Sequence, residues 1–114
     1  VVAAVHRHAP KAQVLLVEYL TVLPASDGCS GVPLTTAQAG FGRKVAARLL
    51  SATQQAAADQ QATVVDAAGA GANHNACSST PWVEKYDVPS GRTPYHPKPQ
   101  GMAAVADLIS ARLG

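Results

Sequence analysis

Only two stretches of this chain read as strands, and that count constrains the fold more than any other feature. Residues 13–20 (QVLLVEYL) and 62–67 (ATVVDA) are short, apolar and rich in β-formers. Such runs suit strands buried on both faces, as in parallel sheets. Between them lies a helical pattern that Thr35 or Thr36 caps and that extends to about Ala58. Its Phe41, Val45 and Leu49 recur at i, i+4 and i+8 and are expected to face the core, with Arg43, Lys44 and Gln54 looking outward. Gly40 and Gly42 weaken its first turns. Residues 1–8 read as the end of a helix that Pro10 stops. A last helix opens at Gln100 or Gly101 and places Met102, Val105, Ala106, Ile109 and Leu113 on one face. Residues 68–94 form a Gly/Asn/Ser-rich connection with no clear element of its own, and loops this long commonly carry function. Strands alternating with helices predict an α/β layered fold with a parallel sheet. Two parallel strands leave two bare edges and too little sheet to cover three helices. The pattern therefore predicts the second half of a doubly wound domain, with its N-terminal half missing.

Bulk properties fit one small unit over residues 1–114. Hydrophobic residues make up 47% and charged residues 14%, the balance of a packed chain and not of a disordered one. The formal charge is +2, and the one basic cluster, Arg43, Lys44 and Arg48, reads as a solvated helix face instead of a nucleic-acid footprint. No run approaches the ~20 apolar residues of a membrane span. The chain starts at Val1 without a methionine or a signal peptide, which is expected of a processing or cleavage boundary.

Both cysteines, Cys29 and Cys77, sit in polar, loop-like sequence. Free thiols there would be exposed, so a Cys29–Cys77 disulfide and an oxidising compartment are expected. No CxxC pair or ligand cluster points to a metal. Residues 67–71 (AAGAG) resemble a glycine-rich turn, but no GxxxxGK[ST] and no following helix support phosphate binding, and no cofactor is expected.

Four histidines remain to be placed. His6 and His8 lie near a helix C-terminus, where a partly charged imidazole suits the dipole and a surface role suffices. For His74 the first reading is hydrogen bonding within the loop, and lining a substrate site is the second. His96 stands in Thr93-Pro94-Tyr95-His96-Pro97, on a proline-framed loop just before the last helix. Several α/β hydrolytic folds hold the general base of a nucleophilic serine there, and imidazole exchanges protons near neutral pH. Position 93 is Thr93 and not an acid, so a backbone carbonyl near Thr93 is the expected orienter, with Asp87 a weaker candidate. A structural role for His96 weighs nearly as much on these residues alone. No GxSxG elbow is present, since Gly28-Cys29-Ser30-Gly31 breaks the spacing. Ser26, Ser30, Ser78, Ser79 and Ser90 read as loop or cap residues, none on a strand-to-helix turn with an evident oxyanion hole.

These residues carry a family resemblance. The His74–Cys77 spacing, Pro81-Trp82-Val83, and Pro94-Tyr95-His96-Pro97 followed by Gly101 together resemble the C-terminal half of an SGNH (GDSL-type) hydrolase, in its secreted actinobacterial esterase/lipase branch. The strand with Val17-Glu18-Tyr19-Leu20, Cys29, the long helix and Val64-Val65-Asp66 fall in that family's order. The resemblance implies part of a flavodoxin-like three-layer α/β/α sandwich that hydrolyses small esters or lipids. It also implies a secreted or cell-envelope location. His96 matches the family's base, and Thr93 stands where the usual acid would be, as in members with a Ser–His dyad oriented by a main-chain carbonyl. The serine and oxyanion-hole blocks match nothing here, so the resemblance implies that an N-terminal half supplies them and that this chain alone is inactive. Trp82, Tyr95 and His74 are the candidate substrate contacts. A non-catalytic α/β binding module and a carbohydrate deacetylase of the same fold are the alternatives.

Overall fold

The computed structural model describes residues 1–114. In chain order it contains α1 (Val2–His8), β1 (Leu15–Val17), α2 (Thr36–Gln60), β2 (Thr63–Val65), α3 (Ala67–Ala70), a 3₁₀ turn (Ala72–His74) and α4 (Pro99–Leu113). The strands pair in parallel, with Leu15 opposite Thr63 and Val17 opposite Val65. The α/β class with a parallel sheet is thus as the sequence predicts. Both strands are shorter than the apolar runs that contain them.

The long helix α2 starts where a complete capping box starts it. The Thr35 hydroxyl accepts from the Gln38 N–H, and the Gln38 side chain accepts from the Thr35 N–H. It ends at Gln61, which takes a left-handed conformation (φ 56°) and returns its N–H to the Ala57 carbonyl. Asp66 caps α3 by accepting from the Gly69 N–H at 2.7 Å. That helix lies within residues 67–71 themselves, and with the 3₁₀ turn at Ala72–His74 it corrects the expectation that the connection over residues 68–94 has no element of its own. The local reason is Asp66 itself, whose side chain satisfies one of the orphan N–H groups.

The core is thin. Leu20, Val32, Ala67, Ala76 and Val83 form one buried cluster, against which Leu23, Leu34, Trp82, Tyr95, Val105 and Leu108 pack. Both α2 and α4 rest on β2. Two predicted faces are corrected by this arrangement. Phe41, Val45 and Leu49 do not enter the core; Phe41 is 70% exposed and Leu49 59%. The inward side of α2 instead carries the small residues Ala39 and Ala57, and Arg43, expected outside, donates to the carbonyls of Pro24 and Ser26. In α4, Met102 and Leu113 are exposed while Val105 and Leu108 make the core contacts. The helix is rotated because Gly101 faces inward.

Gly101 is buried against the Trp82 backbone, and a methyl group there would run into the Trp82 carbonyl and the side chain of Leu20. Gly101→Ala is expected to lower stability by about 2–3 kcal/mol through this overpacking. Urea denaturation measures the loss. Gly42 similarly admits Leu23, whose Cδ1 would lie 2.9 Å from an added Cβ.

One edge of β1 has no strand beside it, and Val17, expected to be buried, is partly exposed. The radius of gyration is 15.7 Å, against roughly 13 Å for a closely packed domain of this length. No helix is long and apolar enough to cross a membrane.

Candidate active site

The connection after β2 is held in place by the connection after β1. Cys29 and Cys77 are bonded, as predicted, with Cα atoms 5.7 Å apart. The Ala76 N–H donates to the Val22 carbonyl, and the N–H groups of Tyr86 and Asp87 donate to Gly31. Lys85 Nζ reaches the Ser30 carbonyl at 2.8 Å. Both connections leave the C-terminal ends of the parallel strands, where α/β sheets ordinarily place their ligands.

On this frame His96 is tied by its backbone. Val83 and Pro97 form an antiparallel bridge, flanked by Glu84 N–H to His96 carbonyl and Lys98 N–H to Trp82 carbonyl, both 2.8 Å. Pro99 then begins α4 at a position that needs no N–H donor. The His96 ring is exposed, and its Nδ1 lies 3.0 Å from the Pro94 carbonyl oxygen. A carbonyl only accepts, so Nδ1 carries the proton and Nε2 presents its lone pair outward. This modifies one expectation. A main-chain carbonyl does orient the ring, but it belongs to Pro94; the Thr93 carbonyl instead accepts the His96 backbone N–H at 3.3 Å. Ser26, the one serine whose hydroxyl forms a hydrogen bond within the chain, spends it on the Asp27 carbonyl, and no serine is bonded to His96.

The three candidate substrate contacts separate. His74 and Trp82 stack on each other, centroids 4.2 Å apart and planes 2° from parallel. His74 Nδ1 is also fixed by the Thr80 carbonyl at 2.7 Å, so loop hydrogen bonding is what this ring does. Tyr95 alone of the three borders the main cavity, about 640 Å³ of mostly apolar space between α2 and the segment after β1. Leu20, Leu23, Val45, Leu49 and Glu18 also line it, whereas His96 lies just outside.

Of two polar groups at this cavity, Tyr95 is expected there from the sequence and Glu18 is not. Glu18 is 5% exposed; its Oε1 accepts from Gln54 Nε2 at 3.1 Å and its Oε2 has no partner. Burial pushes its carboxyl above the usual value, and the Asp66 carboxyl on the neighbouring strand end raises it further, while the Gln54 hydrogen bond works the other way. The signal available in sequence was a lone carboxylate inside an otherwise apolar run of strand residues. Tyr95 Oη is likewise buried without a partner, and burial raises this phenol too, helped by Tyr86 and Asp87.

The Glu18 shift has a signed consequence. A carboxyl whose folded value exceeds its unfolded one holds its proton longer in the native state, so its contribution to stability is full below pH 4.5 and is lost as pH rises through the folded value. Glu18→Gln is therefore expected to stabilise the fold at pH 8 by about 1 kcal/mol and to have little effect near pH 4. Thermal unfolding at the two pH values checks it.

Sequence and structure comparisons bring in one class of protein, the lipases. The chain is 31% identical over 115 residues to Lipase 2 of Streptomyces coelicolor, covering 96% of this chain and 39% of that protein. Its fold matches the crystal structure of phospholipase A1 from Streptomyces albidoflavus with a TM-score of 0.80, over 96% of this chain and 47% of that one, at 24% identity. The chain thus spans about two-fifths of the curated relative's length and about half of the solved structure's. No protein-family model matches it.

Proposed function

We propose that this chain supplies the general base, His96, to a serine esterase or lipase of the SGNH type whose nucleophile lies on another segment of polypeptide. The observation that carries the reading is the His96 ring, held through Nδ1 by the Pro94 carbonyl with Nε2 turned outward. Ester hydrolysis is supported by the likeness to a Streptomyces lipase and to the fold of a phospholipase A1. A disulfide between the two loops fits a secreted or cell-envelope protein.

Acyl transfer then proceeds in two steps. Nε2 takes the serine proton as the hydroxyl oxygen attacks the ester carbonyl, and the Pro94 carbonyl stabilises the imidazolium that forms. The proton passes to the departing alcohol as the tetrahedral intermediate collapses to an acyl-serine. Water, deprotonated by the same nitrogen, attacks the acyl carbonyl, and the proton passes to the serine oxygen as its bond to the acyl carbon breaks and the carboxylic acid leaves. Donors on the serine-bearing segment would hold the oxyanion and contribute several kcal/mol to the transition state.

The seat for that segment is supported by the free edge of β1 and the uncovered stripe of α2. Covering Phe41, Val45 and Leu49 contributes roughly 1.5–3 kcal/mol for each side chain fully buried. Two preparations test the reading: the chain alone, and the chain together with its native serine-bearing polypeptide. Hydrolysis of p-nitrophenyl butyrate is expected from the second and not from the first. Turnover by the pure chain alone that disappears in His96→Ala would overturn the division of labour.

A further inference from the structure

We propose that Tyr95 and Tyr19 are positioning residues that fix the protonation tautomer of His96, an inference that rests on His96 being the base. Tyr95 has φ +61°, one of two non-glycine residues in the left-handed region. The other, Gln61, ends a helix in the ordinary way; Tyr95 caps nothing. A bulky L-residue enters this conformation only when its surroundings compel it. Here the compulsion is visible on three sides. The Tyr95 ring borders the apolar cavity with its Oη buried, its N–H donates to the Lys85 carbonyl at 3.3 Å, and its carbonyl accepts from Tyr19 Oη at 3.3 Å.

The geometric result falls on the next residue. The left-handed turn at Tyr95 folds the chain back on itself, so that the Pro94 carbonyl comes round to Nδ1 of His96, two residues on. Tyr19 lies two residues beyond β1, so its hydroxyl ties the base's loop to the end of the sheet. The pair thereby keeps the proton on Nδ1 and leaves Nε2 as the acceptor.

Nitrogen-15 labelling of histidine in the native protein reads the tautomer directly, from long-range proton–nitrogen spectra recorded where the rings are neutral. His74, fixed by Thr80 on the same loop system, is the internal reference. Wild type is expected to show His96 with Nδ1 protonated. Tyr19→Phe and Tyr95→Gly are expected to lower the ratio of the Nδ1–H to the Nε2–H form by about two- to tenfold, the worth of one or two neutral hydrogen bonds. Tyr95→Phe, which keeps the ring and loses only an unpartnered hydroxyl, is expected to leave the ratio unchanged. Throughout, His74 should not move. Tyr19→Phe removes one exposed hydroxyl and folds whatever happens to Tyr95→Gly, so its spectrum decides. An unaltered His96 ratio in Tyr19→Phe, or an equal change at His74, overturns the proposal. A locked tautomer in a protein that hydrolyses no ester would remove the esterase reading and leave the positioning intact.

Discussion

His96→Gln, made in the protein that carries this chain with its serine-bearing segment, is expected to lower kcat for a p-nitrophenyl ester by roughly 10⁴- to 10⁶-fold. KM should change little, because the imidazole moves a proton and does not hold the ester. The loss is large because a serine hydroxyl is a poor nucleophile without a base at hydrogen-bond distance. Stability should hardly respond. The His96 ring is exposed and makes one side-chain hydrogen bond, to Pro94, whose removal costs about 1 kcal/mol. A rate that falls by less than tenfold, with the fold intact, would show that another group accepts the proton.

Removing the disulfide is expected to have the largest effect on stability. Cys29 and Cys77 are 48 residues apart, and closing a loop of that length contributes about 4 kcal/mol in the chain-entropy model. The double variant Cys29→Ser, Cys77→Ser should lose most of that in urea denaturation, a large share of the 5–15 kcal/mol typical of a domain. The bond also joins the loop after β1 to the loop that delivers His96, so the hydrolytic rate should fall at temperatures below global unfolding. Hydrogen bonds from Ala76, Tyr86 and Lys85 cross the same gap. A loss under 1 kcal/mol would mean that those bonds already hold the two loops together.

The elements that could be read from sequence were those with local causes. Thr35 and Gln38 specify the start of α2 between themselves, and the β-rich runs containing Leu15–Val17 and Thr63–Val65 need only their own composition to be called strands. Faces were not legible in the same way. The stripe Phe41, Val45, Leu49 has helical spacing, but spacing says only that three residues share a side, not that anything covers it. The core face of α4 depends on Gly101 meeting Trp82, a contact between residues 19 apart that no periodicity reports. At the site, residue type and loop context left His96 between a base and a structural role, while for the disulfide the same two signals sufficed and it was accessible. The identity of the orienting carbonyl was not, since it turns on the left-handed backbone of Tyr95, which glycine alone would have announced. Glu18 was hidden by its neighbours, an acid inside an apolar run whose partner Asp66 is set opposite it only by strand register.

The most direct test of the account is where an activated serine resides. The whole native sample is treated with a fluorophosphonate probe, and every polypeptide is weighed by denaturing mass spectrometry. The expected adduct lies on a serine outside residues 1–114, formed rapidly when His96 is present and slowly in His96→Gln. An adduct on Ser26, Ser30, Ser78, Ser79 or Ser90 would contradict the account, because the nucleophile would then belong to this chain.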